Sequence, residues 1–493
     1  MRFLRQNAYR DAADCGGEAP RRLSLALAGA GAAALSACTA VGPDFVKPAA
    51  IVSPQFKEIA GWKTATPRAA EPKGDWWSVF RDPELSRLEE AVAVSNQTVK
   101  ADEANYRQAL ALINEARAGL FPTLGGAASA TRGSAAGTNM TVEGTGQWTL
   151  DVWGQVRREI EAQQAGAEGA AANLANARLA AQSALALAYF QLRQADSLET
   201  ILRRTVEDYK RSEQIAHNQY DAGTAAKSDV ITAQAQVLNA QSALIAAGVS
   251  RAQSEHAIAV LMGRPPAGLS VAAGALPARA PAIPASVPSA LLERRPDVAG
   301  AEETMRQANA EIGVAFAGYF PTISLSGLFG YSGDPFVSHL SAANPVWSIG
   351  ASLAQPIFNG GLTGAQVEAA RSTYEADVAT YRQAVLTAIQ QVEDNLVGIR
   401  ILSKQAGVQA ENVRISRQAT EIALNEYRAG TQAFTTVVTA EAQQLTAEEN
   451  ELATRAQIHL DTVNLIVALG GGWSRTKLPD AAADSSAAPA PSE

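Results

Sequence analysis

The chain of 493 residues carries a formal charge of -8, 41 Lys and Arg against 49 Asp and Glu, and only 6% of it is aromatic. An acidic balance of this kind excludes nucleic acid as a partner, and the scarcity of rings beside abundant alanine points to long, close-packed helices rather than a thick globular core. Four scattered histidines (His217, His256, His339 and His459), none in a HExxH or triad-like setting, leave no basis for an enzyme, a metal or a cofactor.

In chain order, residues 1–37 read as a signal peptide. Arg21 and Arg22 precede a Gly/Ala-rich apolar run, Leu23–Ala37, that is too short to cross a bilayer. It ends in Leu35-Ser36-Ala37-Cys38, the lipobox pattern of bacterial lipoproteins, so Cys38 is the expected lipidation site, and loss of Cys15 with the leader leaves no disulfide. Residues 1–22 are long for a leader and carry Asp11, Asp14 and Glu18, which leaves the translation start open. Residues 38–83 are expected to form a lipidated N-terminal segment and part of an equatorial region.

From residue 84 the chain is duplicated. Ala118-Gly119-Leu120-Phe121-Pro122-Thr123 returns 199 positions later as Ala317-Gly318-Tyr319-Phe320-Pro321-Thr322, and Tyr106-Arg107-Gln108-Ala109 returns as Met305-Arg306-Gln307-Ala308. Past the Phe-Pro phrase the offset is 207: Tyr220-Asp221-Ala222-Gly223-Thr224 answers Tyr427-Arg428-Ala429-Gly430-Thr431. The added residues therefore fall in the strand loops, where length varies freely. Two repeats, 84–264 and 291–472, each read as helix, strand pair, very long helix, tight turn and return helix. A Pro-rich equatorial connector, 265–290, joins them, and 473–493 is an Ala/Ser/Pro-rich tail expected to be disordered.

The helices before the strands are placed near Glu84–Gly119 and Asp297–Gly318. After Pro321, Ile323, Leu325, Gly327, Phe329 and Tyr331 alternate with Ser324, Ser326, Leu328 and Gly330, and Trp347, Ile349, Ala351 and Leu353 alternate with Ser348, Gly350, Ser352 and Ala354. This is the period of half-buried strands. The first repeat repeats it more weakly, with Leu124, Gly126 and Ala128, then Trp148, Leu150 and Val152. Four strands with one apolar face have open edges that lipid does not tolerate, so other subunits must close them. Two copies would give eight strands and three would give twelve, and geometry alone does not choose.

The long helices, Gln155–Asp221 and Leu362–Arg428, would each reach about 100 Å. In the second, Tyr374, Val378, Tyr381, Val385, Ala388, Val392, Leu396 and Ile399 fall on a heptad-like seam. Return helices are expected over Thr224–Leu261 and Thr431–Ala468, stacked end to end with the short helices that precede the strands. Gly223 and Gly430 suit left-handed caps, and Thr224 and Thr431 suit N-caps of the return helices. Lys227-Ser228 is not a phosphate loop, because Ala226 stands where a glycine is required.

Five further segments complete the pattern: Cys38-Thr39-Ala40-Val41-Gly42-Pro43-Asp44; Trp76-Trp77 with Phe80 and Asp82-Pro83-Glu84-Leu85; Leu150-Asp151-Val152-Trp153-Gly154; Glu293-Arg294-Arg295-Pro296-Asp297-Val298; and Gln355-Pro356-Ile357-Phe358. In this order and beside the duplication, the chain resembles the outer-membrane factors, the TolC-like channels, and among them the NodT/OprM-type efflux lipoproteins. The resemblance implies a mainly α fold with a membrane β-barrel. Internally duplicated coiled-coil helices would form a trimeric α-barrel, and four strands per chain would complete a 12-stranded barrel.

It also implies a passive outer-membrane duct of a tripartite, RND-type efflux system, lipid-anchored and extending into the periplasm, with a periplasmic adaptor and an inner-membrane pump as partners. The turns at Gly223, Thr224, Gly430 and Thr431 would meet the adaptor. Candidate gate residues are Asp229, Tyr427, Arg428, Thr436 and Thr439. Here the chain departs from the family, which often places aspartates where Thr436 and Thr439 stand; Asp229 remains in the first copy, and closure is expected to rest on Tyr427, Arg428 and Asp229. A type I secretion duct and a non-pore coiled-coil adaptor lipoprotein are the alternatives.

Overall fold

The computed structural model describes residues 40–50, 55–59, 75–133, 137–283, 295–333 and 345–473. The signal segment, Cys38, Glu293, Arg294 and the tail beyond Trp473 lie outside them. In chain order the elements are α1 (Pro83–Ser95), α2 (Gln97–Ala118), β1 (Thr123–Gly133), β2 (Gly137–Leu150), α3 (Gln155–Asp221), α4 (Lys227–Leu261), α5 (Pro296–Ala317), β3 (Thr322–Gly333), β4 (Pro345–Ala354), α6 (Leu362–Arg428) and α7 (Phe434–Ala468). Among the described residues no helix is long and apolar enough to cross a membrane.

The chain separates into two compact units. Of the described residues, one contains those within 40–44, 116–161 and 309–371; the other contains those within 45–115, 162–308 and 372–473.

The first unit holds a four-stranded antiparallel sheet in the order β1-β2-β3-β4. Its registers run Thr123 opposite Gln147, Leu150 opposite Ile323 and Thr322 opposite Ala354. β1 and β4 each have one neighbour, so both outer edges are open. Leu124, Phe329, Trp347, Ile349 and Leu353 are all exposed, and every residue of β4 is exposed. Val152, expected to continue β2, instead lies in a bend where its N–H returns to Leu150 O at 2.9 Å. The bend lets Trp153 stack on Phe320, ring centroids 4.8 Å apart, and donate Nε1–H to Pro321 O at 2.8 Å. Arg158 holds the entering chain, donating to Val41 O, Gly42 O and Asp44 Oδ1.

In the second unit, α1 begins after Asp82, whose carboxylate accepts from Glu84 N and Leu85 N at 3.0 and 3.1 Å. The single helix expected over Glu84–Gly119 is two, because the Asn96 side chain caps a fresh start, accepting from Thr98 N at 2.9 Å and Val99 N at 3.2 Å. Both long helices run 67 residues. The α6 seam is buried at Tyr381, Val385, Ala388, Val392 and Leu396. Tyr381, Val385 and Ala388 cluster with Val298 and Met305 of α5, and Val392 and Leu396 cluster with Leu465 and Ala468 of α7. The two short helices thus occupy successive stretches of the same seam.

The largest core joins Trp76, Trp77 and Leu88 to Tyr189, Phe190 and Ile258. Part of the connector crosses it. After a 3-10 turn at Pro266–Gly268 the chain runs extended, with Val271 and Leu276 buried. Asp196 secures this strap, accepting Gly274 N at 2.9 Å and pairing with Arg193 and Arg251 at 3.2 and 2.7 Å.

Candidate functional site

The site is the pair of helical turns in the second unit. α3 ends in a left-handed glycine: Gly223 has φ 73°, its N–H reaches Tyr220 O at 2.9 Å, and Thr224 N reaches Gln219 O at 2.9 Å. The second turn repeats this with Gly430, also at φ 73°, bonded to Tyr427 O, and with Thr431 N on Glu426 O at 3.0 Å. Both turns close the last carbonyls of a long helix in the Schellman manner.

The threonines do not cap the return helices. Thr224 Oγ1 donates back to Gln219 O at 2.9 Å and Thr431 Oγ1 to Glu426 O at 3.0 Å. The N-caps are Ala226 and Ala433, extended and without a side-chain bond, so α4 and α7 start three residues later than Thr224 and Thr431 and run 35 residues each. The physical reason is the left-handed glycine: it turns the chain so that the next hydroxyl falls over the helix just completed.

The four helix ends share one core of Ala216, Val230, Ala233, Ala423, Tyr427, Phe434, Val437 and Ala440. Within it the Tyr427 and Phe434 rings lie 5.0 Å apart, and the Tyr427 hydroxyl donates to Asp229 Oδ2 at 3.3 Å. Burial, with the Asp229 charge and its hydrogen bond second, pushes the Tyr427 phenol up to about 12. It therefore stays protonated and a donor. Asp229 sits in the first turn of α4, where the helix dipole favours a carboxylate. Its repeat equivalent on α7 is Thr436, and no acid occupies that first turn.

Arg428 does not join Tyr427 and Asp229. Its guanidinium is exposed and reaches Asn425 Oδ1 at 3.3 Å on its own helix. Thr436 and Thr439 are exposed on α7, bonded to Gln432 Oε1 at 3.3 Å and Thr435 O at 2.9 Å. Arg428, Gly430 and Thr224 instead line a groove of about 520 Å³ between the two turns, together with Ile215, Asn218 and Gln219. Gly223 and Thr431 stand exposed on the turns themselves.

Sequence reasoning missed Gln219. Its amide donates to Tyr427 O at 3.2 Å and Arg428 O at 3.1 Å, so the first hairpin caps the long helix of the second, while its Oε1 accepts Thr224 Oγ1 at 2.9 Å. The available signal was an asymmetry between repeats, since the position equivalent to Gln219 is Glu426. Also missed were the carboxylates behind the tip. Glu441 accepts from Ser212 Oγ, and Glu448 accepts from Arg204 and from Arg417 Nε at 2.8 Å. Among the described residues no cluster of His, Cys, Asp or Glu is arranged to hold a metal.

A family model described as outer membrane efflux protein matches residues 89–264 and 287–471. TtgC, a probable efflux pump outer membrane protein of Pseudomonas putida KT2440, is 28% identical over 454 residues, covering 89% of this chain and 93% of its own length. Nodulation protein T of Rhizobium leguminosarum biovar viciae is 28% identical over 455 residues, covering 90% and 92%. The solved outer-membrane channel OprN superposes with a TM-score of 0.82 at 29% identity, over 88% of this chain and 99% of its own. The family match takes in both repeats, long helices, strand pairs and tip turns alike, and the chain belongs to the outer membrane efflux protein family.

Proposed function

We propose that this protein is the outer-membrane channel of a tripartite efflux system, a passive duct in which three copies close twelve strands into a barrel and their long helices into a tunnel. The observation that carries this reading is the open sheet. Four strands expose an apolar face and two unpaired edges, and β2 and β4 lead within a few residues into 67-residue helices. In lipid those edges need partners, and a closed barrel of identical copies supplies them.

The helices support the same assembly. On α6, Ile401, Val408, Ile415 and Ile422 are exposed at seven-residue steps, and on α4 so are Ile231, Leu238 and Ile245. Apolar heptads facing solvent suit a coiled-coil partner outside the chain. The names of the relatives, efflux pump outer membrane proteins among them, favour a pump-linked duct. Such a duct works with a periplasmic adaptor and an inner-membrane pump.

Within this reading Cys38 carries lipid and residues 38–83 lead from the anchor into the equator. The tip turns at Gly223, Thr224, Gly430 and Thr431 receive the adaptor in the groove beside Arg428. The bond from Tyr427 to Asp229 holds the tip closed, Thr436 and Thr439 face the passage, and Arg428 is free to bond across to a neighbouring copy. Opening is a shift between two packings of the same helices.

Planar-bilayer recording tests this. The purified mature protein is expected to give discrete, small ohmic steps, and Tyr427→Phe, which removes one hydrogen bond worth about 0.5–1.5 kcal/mol, is expected to raise the open fraction several-fold. Absence of current from both proteins would reject the channel; equal open fractions would reject this gate while leaving the channel standing.

A further inference from the structure

The duplication specifies how the open sheet closes. Thr123 of β1 lies opposite Gln147 of β2, and Thr322 of β3 lies opposite Ala354 of β4. Thr123 and Thr322 are repeat equivalents, so Gln147 and Ala354 are too, at the offset of 207 that the long helices also keep. The β2–β3 seam is therefore a contact of the first repeat with the second. In a closed ring, β4 against the next copy's β1 is the same contact made in the reverse order, second repeat with first.

We infer that β4 of one copy pairs antiparallel with β1 of the next in the register transposed from the β2–β3 seam, with Leu353 opposite Ala128, Ser352 opposite Ser129, and the protruding Ile357 opposite Leu124. The in-chain originals are Gly146 opposite Gly327, Thr145 opposite Leu328 and Leu150 opposite Ile323. This rests on the barrel reading above and goes beyond it by choosing one register among those a barrel permits.

Three observations converge on it. β2 runs three residues past its last pair with β1 in order to meet β3 at Leu150. β4 stops at Ala354, its last pair with β3, and the chain beyond is bare: Ile357 is 97% and Phe358 is 90% exposed. Transposition extends β4 by the same three residues, onto Leu124, itself 84% exposed. Faces agree as well, since the register sets Leu353 beside Ala128 on the apolar side and Ser352 beside Ser129 on the polar side. A slip of one residue would reverse every side chain. Finally, the in-chain seam is locked by Trp153, on the β2–α3 link, stacked against Phe320. Phe320 corresponds to Phe121, which is 68% exposed, but Trp153 corresponds to Gly360, so the stacked pair itself is not repeated; the β4–α6 link offers instead the bare Phe358, two residues before Gly360.

Paired cysteines in the full chain test the register. Directly opposite positions bring Cβ atoms within disulfide reach, and adjacent pairs alternate in hydrogen bonding, so both Ser129→Cys with Ser352→Cys and Ala128→Cys with Leu353→Cys are made. Mild oxidation in membranes is expected to give a covalent three-membered ring from at least one of these pairs, at least fivefold faster than Ala127→Cys or Thr131→Cys combined with Ser352→Cys. Faster linkage by a slipped pair overturns the register. Glutaraldehyde on the same samples separates the two ideas: trimers with glutaraldehyde but no linkage from either in-register cysteine pair reject the register alone, whereas monomers with both reagents reject the barrel itself.

Discussion

At the scale of single residues, three buried carboxyls in the helical unit meet three different fates. Glu448 lies between Arg204 and Arg417 and is ion-paired to both. Among the described residues Glu441 has only the Ser212 hydroxyl as a donor; Asp208 and Tyr209 of α3 and Arg417 and Glu421 of α6 line the same cavity of about 240 Å³ without bonding to it. Burial first, and the Asp208 charge after it, push Glu441 up to about 7 against the opposing pull of Ser212. The folded chain thus holds this proton more tightly than the unfolded one, and the stability gained is complete in acid and lost as pH rises through 7. The full difference is about 3 kcal/mol. Amide exchange around Ser212 and Glu441, corrected for intrinsic rates, is expected to quicken tenfold or more between pH 5 and pH 8, and Glu441→Gln is expected to abolish that dependence. Glu89, fully buried and without a hydrogen-bond partner among the described residues, is pushed up to about 9 by burial alone. Glu89→Met removes an unsatisfied acid from an apolar core and is expected to raise stability by about 1–2 kcal/mol, read from urea midpoints. None of the three was legible in the sequence. A glutamate on a polar-looking helix face carries no local mark of which neighbour will cover it.

At the scale of elements, what could be read followed from strong local chemistry. The C-terminal ends of α3 and α6 were legible because Gly223 and Gly430 after them suit a positive φ, which side chains resist, and both glycines take it. The strand pairs were legible from their alternation of two, and the α6 seam from its heptads. The errors at the helix ends share a cause, since each depended on which of two neighbouring groups a polar side chain would choose. Asn96 caps forward and breaks a helix, while Thr224 and Thr431 cap backward and shorten the next one. The turns make a direct comparison possible. Gly430→Ala forces a Cβ into the left-handed region and is expected to cost about 1–2 kcal/mol, opening the tip to limited proteolysis. Gly407→Ala, inside α6 with open space around it, is expected to gain up to about 1 kcal/mol and leave cleavage unchanged.

At the scale of the whole molecule, a single chain leaves several apolar surfaces and sheet edges uncovered. Its sheet has two open edges, its long and return helices carry exposed heptads at Ile401–Ile422 and Ile231–Ile245, and its strand-to-helix links expose Phe121 and Phe358. Duplication made the mainly helical order with its two strand pairs legible at sequence level, because each internal match constrained both copies. The exposed heptads were equally visible as seven-residue steps, yet a seam that packs within the chain and one that packs outside it look alike until burial is known. The same limit holds at the tip: the turns could be placed, but Gln219 reaching across to α6 could not. In the assembly proposed above, three copies would cover these surfaces together. The most direct test is the mass of the detergent-solubilised mature protein by native mass spectrometry. Three chains per particle is the result expected, and a stable single chain, or a dimer, would contradict it.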